Sequence, residues 1–186
     1  MKKLLFSVLF VLSIGWAFGQ SQELGFTGGG AYYLGDLNPG YHFLMTRPAY
    51  GGVIRYNYGT RWAFRITGMR GKVEGNDSIS HVNEFRGLKF ETRITEFAGA
   101  VEFNFFDYYI GSKKNIVTPY IFGGLGVFIY DPKVDGVSLR GLGTEGQNVG
   151  FDGRAQYGRV SFAIPFGPGL KCSFSRRFGV TAEWGL

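Results

Sequence analysis

The chain has 186 residues, enough for one domain of ordinary size; aromatics make up 18% of it, glycine fills 31 positions, and 18% is charged against 45% apolar. That mixture excludes a disordered chain and favours many short β-strands joined by turns. The formal charge of +6 comes without a Lys/Arg run interleaved with aromatics, which argues against nucleic acid, and Cys172 alone makes neither a disulfide framework nor a cysteine metal site.

The first residues, "MKKLLFSVLFVLSIGWAFGQ", pair a basic start (Lys2, Lys3) with an apolar run from Leu4 to Phe18. Small residues at Ala17 and Gly19 place a cleavage site before Gln20. The pattern predicts a secretory signal peptide over 1–19, too short for a spanning helix. Without its two lysines, 18 basic residues stand against 14 acidic ones, a net +4. The rest, 20–186, reads as one β-barrel domain, with no second apolar run of spanning-helix length.

What recurs in that domain is alternation with period 2. Residues 24–34 set Leu24, Phe26, Tyr32 and Leu34 on one face. Residues 50–58 set Tyr50, Ile54, Tyr56 and Tyr58 opposite Val53, Arg55 and Asn57. Residues 61–68 set Trp62, Phe64 and Ile66 opposite Arg61, Ala63, Arg65 and Thr67. The stretch "ETRITEFAGAVEFNFF" (91–106) sets Phe97, Gly99, Val101, Phe103 and Phe105 opposite Glu96, Ala98, Ala100, Glu102 and Asn104. Residues 117–130 are apolar on both faces, so their orientation is open. In 160–174, Val160, Phe162, Ile164, Phe166, Leu170, Cys172 and Phe174 oppose Ser161, Ala163, Gly167, Lys171 and Ser173. In 180–185, Val180, Ala182 and Trp184 oppose Thr181, Glu183 and Gly185.

The connectors at 59–60, 107–115 and 175–179 are short or moderate, whereas 35–49, 74–90 and 131–157 are long and polar. Short turns at one end and long loops at the other are the layout of an outer-membrane barrel. The predicted fold is an all-β, antiparallel, up-and-down transmembrane barrel. The segments number about seven, and bacterial barrels use even counts. An eight-stranded barrel is therefore expected, with its last hairpin partner missing from this chain after "EWGL". The competing architecture is a soluble sandwich with the apolar face inward.

The polar face decides between them. It is made of small residues with scattered charges, as a narrow lumen requires. Arg55, Arg65, Glu96, Glu102, Lys171 and Glu183 are expected to form a lumenal ion-pair network. Tyr50, Tyr58, Trp62 and Trp184 are expected to form an interfacial aromatic girdle. A lumen filled by its own side chains admits no free diffusion, which argues against a general porin.

Catalytic chemistry finds little support. His42 and His81 lie in long loops near Asp36 and Asp77 in sequence, but nothing fixes a nucleophile–base geometry for a rim hydrolase. "GGG" (28–30) and "GGLG" (123–126) lack the Lys-Ser/Thr of a phosphate loop. Glu96 and Glu102 stand about 20 Å apart at the strand rise, too far for a glycosidase pair. No enzyme, cofactor, metal or small-molecule substrate is expected.

Four stretches, "ELGFTGGGAYYLGDLNP" (23–39), "FETRITEFAGAVEFNFFDY" (90–108), "TPYIFGGLGVFIYDPK" (118–133) and "FAIPFGPGLKCSFSRRFGVTAEWGL" (162–186), resemble the PorG-type outer-membrane proteins of Bacteroidetes. These belong to a domain family also known as DUF6089, and the resemblance covers nearly the whole mature chain. It implies a component of the type IX secretion system, with outer-membrane lipid and a PorK/PorN-like periplasmic ring as partners. It also implies a continuation after the "EWG" strand. The alternative reading is an OmpA/OmpX-like structural protein whose outside loops bind ligands. In the predicted topology the turns Asp107–Asn115 and Ser175–Phe178 face the periplasm. Asp107, Tyr108, Lys113, Lys114, Arg176 and Arg177 are therefore the expected partner contacts.

Overall fold

A computed structural model describes residues 22–81, 85–142 and 158–186. The signal-peptide expectation lies outside them. The elements are β1 (Gln22–Ala31), β2 (Arg47–Tyr58), β3 (Trp62–Asn76), β4 (Lys89–Asn104), β5 (Val117–Val134), β6 (Val137–Ser138), β7 (Val160–Ala163), β8 (Phe166–Ser173) and β9 (Gly179–Glu183). One helical turn, Asp77–Ser80, and one 3-10 turn, Leu139–Leu142, sit in the long loops.

The strands form one antiparallel sheet in the order β1-β2-β3-β4-β5-β8-β9, with β6 and β7 both paired to β5. β7 and β8 are successive parts of one rung on β5, broken at Ile164–Pro165. Proline has no N–H to give a ladder, and Pro165 is left to accept from the Gly124 N–H through its carbonyl at 2.9 Å. The predicted segment 160–174 is thus interrupted. The first segment ends sooner than predicted, at Ala31, while β3 runs on to Asn76. β3, β4 and β5 have 15, 16 and 18 residues, more than the 9–11 that cross a bilayer. Their upper ends therefore rise past the hydrocarbon and carry the long loops.

The sheet curls so that its polar face meets itself. Side chains from β2, β3, β4, β8 and β9 touch across the interior, as in Lys171–Glu102 between strands that are not ladder neighbours. The outer face carries Leu24, 83% exposed, and Phe26, 99% exposed, with Ile54, Ile66, Phe97, Leu125 and Phe162 also outward. A water-soluble chain rarely exposes so continuous an apolar surface. The architecture is a membrane-spanning β-barrel with lipid outside and charge inside.

β5, whose orientation the sequence leaves open, turns Thr118, Tyr120 and Phe122 inward and Ile121, Leu125 and Ile129 outward. Room for Tyr120 exists because residue 169 is glycine. A Cβ there would lie 2.4 Å from the Tyr120 ring.

The circle is not closed by backbone pairing. β1 and β9 are the two edges, and an antiparallel sheet of seven spans makes them run in the same direction. The cleft between them, about 320 Å³, has Glu23–Gly28 on one bank and Arg177–Thr181 on the other, and it is also lined by the lumenal Arg55, Arg65, Tyr108 and Glu183. Across its outer end the Trp184 indole N–H donates to the Tyr32 hydroxyl at 3.0 Å. Following the ladder register from Trp184 through Pro168, Ile121, Phe103, Trp62 and Tyr58 and extrapolating the β1–β2 register gives a level two residues short of Gln22, the first residue of β1. Tyr32 lies ten positions after Gln22, so the stagger around the sheet is about 12 residues, which tilts eight strands by roughly 45°.

Replacing Gly169 by alanine should destabilise the barrel by about 1–3 kcal/mol through overpacking against Tyr120. The loss should shrink in a Tyr120→Ala background, both read as urea midpoints in detergent micelles. Equal losses in the two backgrounds would refute the steric account.

Candidate functional site: the lumen and the two rims

The lumen is wired by charge. Glu102, 0% exposed, comes from the inward-facing alternation of β4. Three cations converge on it: the Arg55 Nε at 2.8 Å, the Arg65 Nη1 at 3.3 Å and the Lys171 Nζ at 2.5 Å. Arg55 also pairs with Glu23 at 2.7 Å, and Arg65 pairs with Glu183. Three positive and three negative groups balance. Lys171 donates to the Asn104 side-chain oxygen at 2.9 Å, and the Tyr120 hydroxyl donates to Glu183 at 2.7 Å. The Arg65 guanidinium lies 4.4 Å over the Phe122 ring and the Lys171 ammonium 4.6 Å over that of Tyr120. Charge of either sign is costly in so dry a space unless paired, and here pairing is mutual.

Five of the six predicted network members meet in this way. Glu96 does not. It faces the lumen but makes no ion pair among the described residues, because it stands opposite Met69 and Phe128, well above Glu102 on the strand. Glu23, absent from the prediction, takes the place: it alternates inward with Gly25 and Thr27 and also accepts from the Asn57 amide at 2.6 Å. The network runs from Glu23 on β1 through Arg55, Glu102 and Arg65 to Glu183 on β9. Side chains thus brace the two edges that backbone does not join.

All four girdle residues face outward and are exposed. Tyr58 and Trp62 are ladder partners at the short-turn end, where Trp62 packs on Phe103 at 4.9 Å between centroids. Tyr50 is eight residues along the same strand, about 27 Å, or roughly 20 Å along the membrane normal at the usual tilt. That separation falls within the apolar band of about 25 Å on such barrels. Trp184 serves the seam as well, with His42 set edge-on against it at 5.8 Å.

At the long-loop end Asp77 is buried beneath a clamp. Its carboxylate accepts a fork from Arg86 at 2.8 and 2.9 Å and the Leu88 N–H at 3.1 Å. The other arm of Arg86 reaches Asp36 at 2.7 Å, tying the first long loop to the second. The acids that stood near the histidines in sequence are therefore held by an arginine. His42 contacts Tyr32, and His81 ends the helical turn at φ 56°. Among the described residues no group of three or more His, Cys, Asp or Glu gathers for a metal.

At the short-turn end the partner contacts expected from sequence separate. Tyr108, 3% exposed, folds back under the lumen, its N–H donating to the Thr60 carbonyl at 3.1 Å. It is a plug and not a surface residue. Asp107 pairs with Arg61 at 2.9 Å. Lys113, Lys114, Arg176 and Arg177 remain exposed.

Two outcomes follow from the charges. Glu102→Leu leaves buried Lys171 without an ion-pair partner and takes one of two from Arg55 and Arg65; it should cost about 3–5 kcal/mol of unfolding free energy, whereas Glu96→Leu should cost under about 1 kcal/mol. Urea titration followed by the mobility shift of folded barrel on gels distinguishes them. In the clamp, the Arg86 hydrogen bonds hold Asp77 below the usual carboxylate range. A depressed carboxyl pKa stabilises above the unfolded value, near 3.9, and that contribution is lost as pH falls through the folded value. The NMR signal of the Arg86 Nε–H should thus keep its paired position at pH 7 and 5 and lose it only below about pH 4. Asp77→Asn should show the free position at pH 7.

No curated protein matches this chain. Among solved structures, the chain is similar to Ail, the attachment invasion locus protein of Yersinia pestis, crystallised with the heparin analogue sucrose octasulfate. That likeness has 12% identity over 89% of this chain and 84% of that one, with a TM-score of 0.44. The pattern of one domain family of unknown function spans residues 2–186, and the chain belongs to that family, DUF6089.

Proposed function

We propose that this protein is a non-enzymatic outer-membrane barrel, exported by its N-terminal segment, that fastens the periplasmic ring of a type IX secretion apparatus to the outer membrane. The observation that carries the reading is a lumen filled by its own ion pairs and aromatics inside an apolar shell. Such a barrel transports nothing through itself, and what it offers is a fixed position in the membrane and two shaped ends. The turn end would face the periplasm, since short connectors lie on that side of such barrels. The PorG-like stretches of sequence supply the type IX assignment, with PorK/PorN-like ring proteins and outer-membrane lipid as partners. The seam is read as the place of an eighth, downward-running strand.

A tagged full-length protein solubilised from its own membrane should recover the ring proteins, and its deletion should abolish type IX secretion. Recovery of no ring protein together with intact secretion would sink the proposal. If deleting the loops held by the Arg86 clamp instead abolished a surface-binding phenotype and spared secretion, the OmpX-like reading would replace it.

A further inference from the structure

We infer that the turn end carries a preformed cationic platform, built by Lys113, Lys114, Arg176 and Arg177, that docks an acidic protein face. The inference rests on the proposed topology and names the chemistry of the contact. All four side chains are exposed, and none makes an ion pair among the described residues, whereas most acids and bases elsewhere on the chain do. Lys114 lies within electrostatic reach of Asp107 and Arg177 borders the seam cleft, but among the described residues no side chain of the four is closed into an ion pair.

The two turns that carry them are locked together. Gly111, at φ +89°, lies so near Arg176 that a Cβ would sit 3.2 Å from the Arg176 Cα and carbonyl oxygen. The Gly111 N–H donates to the Ser173 hydroxyl at 2.8 Å, and the Ser173 N–H to the Ile116 carbonyl at 2.7 Å. Within the second turn the Ser175 hydroxyl accepts from the N–H groups of Arg177 and Phe178 at 3.3 and 3.1 Å. Within the first, the Asn115 amide donates to the Asp107 carbonyl at 2.9 Å. The backbone under the charges is thus braced before any partner arrives, which lowers the ordering cost of binding.

The platform is one-sided. The turn at 59–61 presents Arg61 already neutralised by Asp107. Lipid headgroups surround a barrel on all sides and would be matched by cations around the whole rim. Charge gathered on two adjacent turns fits a partner that approaches from one direction, steered by opposite charge.

The test uses full-length protein in its own membrane, with Lys113→Glu, Lys114→Glu, Arg176→Glu and Arg177→Glu combined. The variant should keep the mobility shift of the folded barrel yet recover the ring proteins at least about tenfold less well than wild type, and wild-type recovery should fall as salt is raised. The conservative set Lys113→Arg, Lys114→Arg, Arg176→Lys and Arg177→Lys should retain recovery. Equal recovery by wild type and the charge-reversed variant would overturn the platform while leaving the proposed function standing. Recovery of no ring protein by wild type would overturn both. Loss of binding to phosphatidylglycerol vesicles with unchanged ring recovery would assign the cations to lipid and overturn the inference.

Discussion

A peptide group placed in hydrocarbon without a hydrogen-bond partner costs several kcal/mol, and no water is there to relieve it. That constraint favours a curled sheet, in which β2, β3, β4, β5 and β8 are each paired on both sides. Everything else in this protein answers the consequences. Curling confines the polar face to a narrow space, so inward residues are small or mutually neutralising. It also turns the greasy face outward, where lipid replaces the core that a soluble protein would need.

The lumen shows how tightly these demands interlock. Tyr120 could not point inward without Gly169, and its hydroxyl would be an orphan without Glu183. Glu183 in turn neutralises Arg65, which shares Glu102 with Arg55 and Lys171. Removing one member leaves an uncompensated charge in a space too dry to hold it. The three positive and three negative groups neutralise one another and occupy much of the interior, beside the cavity that opens at the seam.

Much of this was legible from alternation. Phe97, Val101 and Phe103 against Ala98, Ala100 and Glu102 declares both a strand and its two solvents. β5 hid its orientation because Tyr120 and Phe122 face inward although apolar. What admits them is empty volume on β8 and a guanidinium from β3, neither of which period 2 can register. Glu96 and Glu23 show the same limit in another way. Periodicity assigns a side chain to a face but not to a height, and heights across the lumen are set by the stagger of the whole sheet. Tyr108 sits in a turn, where no period exists to be read, so its burial was invisible.

The direction of the two edges has a consequence for neighbours in the same membrane. β1 and β9 both run upward, and every copy inserted in the same sense presents two upward edges. Rotation about the membrane normal cannot reverse them. Copies that collide could join only through a parallel ladder, the slightly weaker pairing and one used nowhere among the described strands. Among the described strands, the two like-directed edges thus act like a keyed fitting that disfavours pairing with another copy in the same orientation.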